Sequence, residues 1–230
     1  MGNFNAITCT EKKSNPTLTE QRFKAVLDTE CFAQLYAAGT LSFESDAESE
    51  KKLFPIDMLV HPGTWRSRYM RVLPIVAWTT SVVSWNPFSN GQQHLKLADI
   101  ITHTLQTNTA IKEEIAAFTK FLDVYAGTLK RNPTKIDRFG TFTRTSSRAE
   151  LAVSQASLND HKAVSVRSTL VSITTHDVIG PVFSATFDTS KATIHVGQVE
   201  KTLDLALYEK KRDWITEGIN GHKDLIIGLP

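Results

Sequence analysis

The chain has 230 residues, 41% of them hydrophobic and 22% charged, with a formal net charge of +2. This is the composition of a globular protein with a real core, long enough for one large domain. No stretch approaches the ~20 consecutive apolar residues of a membrane-spanning helix, because threonines and serines interrupt the longest apolar-leaning run, residues 72–85.

The charge is unevenly spread: residues 1–50 carry a net −4, residues 51–148 a net +8 and residues 149–230 a net −2. A basic middle between acidic flanks points to a face drawn to an anionic surface. The competing reading is that folding mixes these blocks and no patch results. Two cysteines, Cys9 and Cys31, cannot build a disulfide framework, and neither sits in a metal-type pair. No basic n-region followed by an apolar stretch opens the chain. The expected setting is therefore a reducing, cytoplasmic compartment.

Residues 1–17 are polar, contain Pro16 and read as a flexible tail, with residues 18–230 forming a single α+β domain. The tail opens MGNFNAITC. Gly2 behind the initiator Met fits the N-myristoylation pattern, although Ala6 stands where Ser or Thr is usual. A single myristoyl chain binds membranes only marginally, so a second contact is required. Cys9 is a candidate palmitoyl acceptor, and Lys12 and Lys13 are candidate headgroup contacts. The alternative is a chance glycine in an ordinary terminus.

A helix is expected next. Thr17 with Glu20 makes a better capping box than Thr19 with Arg22. Phe23, Val26, Leu27, Glu30, Cys31 and Leu35 continue at helix-compatible spacing, and Gly39 ends it as a C-terminal cap. Residues 43–52 are acidic and read as a surface loop or solvated turn. Residues 54–65 read as a short buried segment bracketed by Pro55 and a His61-Pro62-Gly63 turn. Residues 66–85 are rich in β-branched and aromatic residues and are expected to form a strand, broken or placed on an edge by Pro74. Residues 86–93 are a loop.

Leu97, Ile100, Ile101 and Leu105 form a helical stripe, followed by a second one of Ile111, Ile115, Phe118, Leu122, Tyr125 and Leu129 that Pro133 stops. Beyond Pro133, a candidate internal boundary, small polar and apolar residues alternate. This predicts an antiparallel sheet with one face exposed, with turns at Gly180-Pro181 and at residues 188–191. The tail from Lys201 starts as a strand or short helix and ends in the apolar run Leu225, Ile226, Ile227. The fold class expected is α+β: an N-terminal helix, a central helical pair and a mainly antiparallel C-terminal β-sheet.

No catalytic motif is present. The seven histidines show no i, i+4 or His-x-Glu spacing, so no metal site is expected. There is no nucleophile elbow, no Cys/His signature and no glycine-rich phosphate loop. Only a spatial cluster of His176, His195, Asp177 or Asp188 would revive an enzymatic reading. Two basic stretches remain. Arg66, Arg68 and Arg71 stand beside Trp65 and Tyr69, a mixture able to grip single-stranded nucleic acid by charge and stacking, or simply a half-buried strand. Lys130, Arg131, Lys135, Arg138, Arg144 and Arg148 suit phosphates of lipid headgroups or RNA, or ordinary loop charges at a helix end.

The expectation is thus a non-enzymatic structural protein without a cofactor, peripheral to a membrane and self-assembling, of viral matrix type. Its partners would be an anionic membrane surface, itself as a homo-oligomer, and RNA or a nucleoprotein. The alternative is a viral single-stranded nucleic-acid-binding coat, nucleocapsid or movement protein. The absence of a basic N-terminal arm weighs against that alternative.

Overall fold

The computed structural model describes residues 5–9, 19–41, 56–107, 115, 116, 119, 120, 124, 127, 131, 145, 147–159, 161–176 and 186–222. The elements in chain order are β1 (Asn5–Cys9), α1 (Glu20–Ala37), α2 (Pro62–Val72), β2 (Trp78–Pro87), β3 (His94–Lys96), α3 (Leu97–Thr107), β4 (Arg148–Leu158), β5 (Val164–Thr175), β6 (Thr186–Asp188), β7 (Ala192–Leu203) and α4 (Leu205–Asn220). A five-stranded sheet runs β1-β4-β5-β7-β2, and β3 pairs with β6 in a separate two-stranded ribbon. Only the β1–β4 pairing is parallel in the main sheet; the other pairings are antiparallel. The chain is an α+β protein with the expected N-terminal helix and a mainly antiparallel C-terminal sheet.

Several elements form where the sequence places them. Helix α1 forms as expected, but its cap is Thr19 and not the preferred Thr17: the Thr19 side chain accepts a hydrogen bond from the Arg22 N–H, and the helix begins at Glu20. Gly39 closes the helix as expected. Its φ of +74° suits glycine, its N–H donates to the Tyr36 carbonyl and the Thr40 N–H donates to the Leu35 carbonyl, completing a Schellman motif. Ile56, Met58 and Leu59 are buried, and the Leu97–Ile100–Ile101–Leu105 stripe is the buried face of α3. Ile115, Ala116, Thr119, Lys120, Val124 and Gly127 are helical, in line with the second central helix. Its other stripe residues, Pro133, residues 43–52, Gly180-Pro181 and Leu225 to Ile227 lie outside the described residues.

Four expectations are corrected. Residues 62–72 form a helix, not the start of a strand. Pro62 sits in its first turn, where a missing N–H costs nothing and φ is already helical. Trp65, Tyr69 and Val72 recur at helical spacing on the buried side, which stacks the Trp65 and Tyr69 rings 5.3 Å apart at 10°. Local β-propensity loses here to a proline start and a consistent helical stripe. Strand β2 begins only at Trp78, after Ala77 turns the chain at φ +76° and the Trp78 N–H caps the Leu73 carbonyl.

The second correction concerns the sheet, which is covered on both faces. One face packs Ala156, Leu158, Val164, Val166, Val199 and Leu203 against α1, α2 and α4. The other packs Leu151, Val153, Val171, Ile173 and Ile194 against α3 and the Leu95–Phe187 pair of the small ribbon. Serines and threonines made one face look solvated. They are buried because they satisfy each other, as where the Ser154 and Ser168 hydroxyls meet at 2.7 Å. Third, the expected tail contributes a strand: Asn5 to Cys9 pair with Ala152 to Ala156 at the sheet edge. Fourth, the tail from Lys201 does start as a strand, the end of β7, but it then runs into a 16-residue helix rather than a short one, capped by the Asp204 carboxylate accepting from the Leu207 N–H at 2.9 Å.

Candidate functional site

Two clusters of polar side chains tie α2 to the sheet from opposite ends. The first is wholly internal. In antiparallel pairing, cross-strand partners share a face, so β7 turns Leu203, Lys201, Val199, Gly197 and His195 toward α1 and α2. Lys201 therefore enters the core. Its ammonium pairs with the Glu30 carboxylate of α1, both side chains 0% exposed. It also donates to the Tyr69 hydroxyl of α2, and Tyr69 donates to Glu30 Oε2 at 2.7 Å. The Tyr69 and Trp78 rings each lie 5.0 Å from the Lys201 nitrogen, adding cation–π attraction. Burial lowers the pKa of Lys201 from its ordinary value, opposed by the Glu30 charge, and burial with the same carboxylate raises Tyr69 well above 10.

The second cluster lies farther along the same face. Glu150 on β4, Ser172 on β5 and His195 on β7 are register partners and form a row across three strands. The Ser172 hydroxyl donates to Glu150 Oε1 at 2.5 Å, and Arg66 of α2 reaches Glu150 Oε2 at 3.6 Å. Arg66 also lies over the Trp85 ring at 4.0 Å, and Trp85 stacks on His195 with centroids 5.9 Å apart. Arg148 donates to the Leu59 carbonyl at 3.1 Å and to Thr174 Oγ1 at 3.4 Å, fastening the segment before α2. Burial pushes the Glu150 carboxyl up to about 7, against the opposing pull of Ser172, Arg66 and Arg148.

Trp85 lies flat because β7 offers Gly197 beneath it. A Cβ at Gly197 would stand 2.5 Å from Trp85 Cε3 and 2.9 Å from the Ser84 carbonyl oxygen. Gly197→Ala should therefore push the indole, and with it Arg66, off the strand, at a cost of about 1–3 kcal/mol readable as a lower urea midpoint. An unchanged midpoint would show that the ring and strand relax freely.

The sequence-predicted basic residues thus divide. Arg66 and Arg148 come together around Glu150, although they are far apart in the chain. Arg68 and Arg71 remain on α2, with Arg71 exposed, and Arg131 is exposed. Trp65 and Tyr69 serve the core, each 4% exposed. Gly2, Lys12, Lys13, Lys130, Lys135, Arg138 and Arg144 lie outside the described residues. Cys9 ends β1, in register with Ala156. Cys31 in α1 is a free thiol whose pKa burial and the neighbouring Glu30 and Asp28 raise to about 12, so it is unreactive at neutral pH.

Of the four residues that bear on an enzymatic reading, three are described. His195 stacks on Trp85, Asp188 accepts from Ser190 in the turn before β7, His176 is exposed after β5, and Asp177 lies outside the described residues. No group of three or more His, Cys, Asp or Glu residues able to hold a metal occurs among the described residues. No described helix is long and apolar enough to cross a membrane.

One edge of the sheet has no further strand among the described residues. β2 is its last strand. Thr79, Ser81, Val83, Asn86 and Pro87 are exposed along it, Val83 at 61%. From Trp78 to Pro87 the strand carries no charged residue.

The fold class is the level at which these features place the protein, and the comparisons add little to it. No protein-family model matches the chain. No curated protein matches it by sequence. Among solved structures, one described as that of the Evf virulence factor is similar at 11% identity and a TM-score of 0.41, covering 97% of this chain and 80% of that one.

Proposed function

We propose that this is a non-enzymatic protein that assembles with copies of itself at an anionic membrane surface, the matrix-type role expected from the sequence. The observation carrying the reading is the uncharged edge of β2, which no other described strand pairs. Natural sheets usually blunt a free edge with lysine, a mid-strand proline or a cover. Here the proline comes at the end of the strand, and the middle presents Val83 to solvent. Both polar clusters support the non-enzymatic part, since their groups are engaged in joining α1, α2 and the sheet.

The membrane contact rests on Gly2, on Cys9 at the opposite edge strand, and on the basic residues of the middle segment. Nucleic-acid binding is the weaker reading, because Arg66 is held by Glu150 and Trp85 and both nearby aromatics, Trp65 and Tyr69, are buried. Protein made in eukaryotic cells should carry a fatty acid by intact mass and should float with phosphatidylserine vesicles. Gly2→Ala should abolish both. Flotation unchanged by Gly2→Ala, or a bare N-terminus, would remove acylation as the anchor.

A further inference from the structure

We propose that the cavity between the loop 88–93, which joins β2 to β3, and the turn 189–190, which leads into β7, is a binding site for a neutral saccharide. The proposal goes beyond the assembly reading and does not depend on it.

The cavity measures about 420 Å³, within the ~300–1,000 Å³ common for small-ligand sites. Its walls are pinned to one another. The Phe88 N–H donates to the Ile194 carbonyl at 2.8 Å, and the Thr189 N–H donates to the Gln93 carbonyl at 2.9 Å. The Thr189 hydroxyl donates to the Gln92 carbonyl at 2.8 Å, and the Asn90 carboxamide oxygen accepts from the Gln92 N–H at 3.0 Å. Gly91 turns the loop at φ +74°, a conformation glycine adopts at little cost. Both segments are therefore held in place before any ligand arrives, and little ordering entropy is left to lose on binding.

The lining sets the chemistry of the ligand. No charged residue lines the cavity, so a phosphate, carboxylate or ammonium would lose water there with no counter-charge to meet it. Phe88, Ala192 and Ile194 supply an apolar side. The Phe88 ring is half-buried and is held by an edge contact with His103 of α3, the ring centroids 5.4 Å apart at 84°. The rest of the lining is serine, threonine, asparagine, glutamine and one glycine. Among the described residues, neither the Ser89 hydroxyl nor the Gln93 carboxamide has a hydrogen-bond partner. A carboxamide offers a donor and an acceptor side by side, which two neighbouring ring hydroxyls can match. A purely apolar ligand would strip water from these groups and leave them unsatisfied. A pyranose meets both demands: its C–H face covers the apolar side and its hydroxyls bond to the neutral rim.

The test titrates the full chain with glucose, galactose, mannose, N-acetylglucosamine and lactose, followed by saturation-transfer NMR. At least one of these should bind with a Kd on the order of 1 mM, and more tightly than glucuronate or adenosine. Gln93→Ala changes an exposed side chain and should weaken that sugar about three- to tenfold with an unchanged urea midpoint. Adding Ser89→Ala should weaken it further. A sugar that binds both variants as well as it binds wild type sits elsewhere and overturns the site. No transfer to any of the sugars well above that concentration, or glucuronate or adenosine held as tightly as the best sugar, overturns it as well. Phosphatidylcholine vesicles carrying lactosylceramide, tested with the Gly2→Ala chain so that acylation plays no part, separate two sources of the ligand. Flotation that Gln93→Ala abolishes assigns the sugar to a surface glycan, and binding of free sugar without flotation assigns it to a soluble one.

Discussion

Lys201→Met is expected to destabilise the fold by about 3–5 kcal/mol, the largest effect of any single side-chain change considered. The substitution keeps most of the volume of the side chain but removes the ammonium. Glu30 would then keep a carboxylate with 0% exposure, without the ammonium that compensates its charge. Breaking one side of a buried pair costs far more than the pair contributes, because the charge that remains loses its counter-charge where water cannot replace it. Glu30→Leu combined with Lys201→Met removes both charges, and most of the lost stability should return. Chemical denaturation of wild type, single and double variants at neutral pH measures this. If the double variant is no more stable than the single, the cluster contributes something beyond charge compensation, such as orienting Tyr69 for α2.

Glu150→Gln is expected to stabilise the protein at alkaline pH and to do so less as pH falls. The Glu150 carboxyl titrates near 7 in the fold and near its ordinary 4.5 when unfolded. Between these values the folded state holds the proton more tightly. The contribution of this residue to stability is therefore full below about 4.5 and is lost as pH rises through 7. Glutamine fixes the neutral form. The variant should match wild type near pH 4.5 and exceed it by on the order of 2–3 kcal/mol at pH 8. Taking the difference between the two proteins removes every other titrating group. A difference that does not change with pH would mean that Arg66 and Arg148 compensate the carboxylate in full. A wild-type advantage at pH 8 would mean that the 3.6 Å ion pair with Arg66 outweighs burial.

Much of the architecture was legible because it is written in local pattern. The Gly39 cap, the α3 stripe, the loop through Gly91 and the turn at residues 188–191 each rest on a few consecutive residues. The strand expected at residues 66–85 holds only from Trp78, because before it the helical recurrence of Trp65, Tyr69 and Val72 outweighs β-propensity. β1 was missed for another reason: five residues pairing with a strand from the second half of the chain leave no local signal strong enough to separate them from a tail. Covered faces were misread as exposed where hydroxyls bond across the sheet.

The polar clusters were only half visible. Lys201 sits in phase with Val199 and Leu203, and Glu30 falls in the apolar stripe of α1 with Val26. A charge in an apolar phase is a readable sign of a buried pair, but nothing in the sequence says which charges pair. The neutrality of residues 78–87 is also plain in the sequence. That the strand lies at an edge is not, since it depends on the order β1-β4-β5-β7-β2.

The parallel strand β1 also fixes an order of events during synthesis. Asn5 to Cys9 leave the ribosome long before their partners, Ala152 to Ala156. Until then β1 has no strand to pair with. The acylation proposed at Gly2 and Cys9 would therefore meet this segment while it is still unpaired. That proposed modification and the docking of β1 would then be separated in time, and the first would not have to reverse the second.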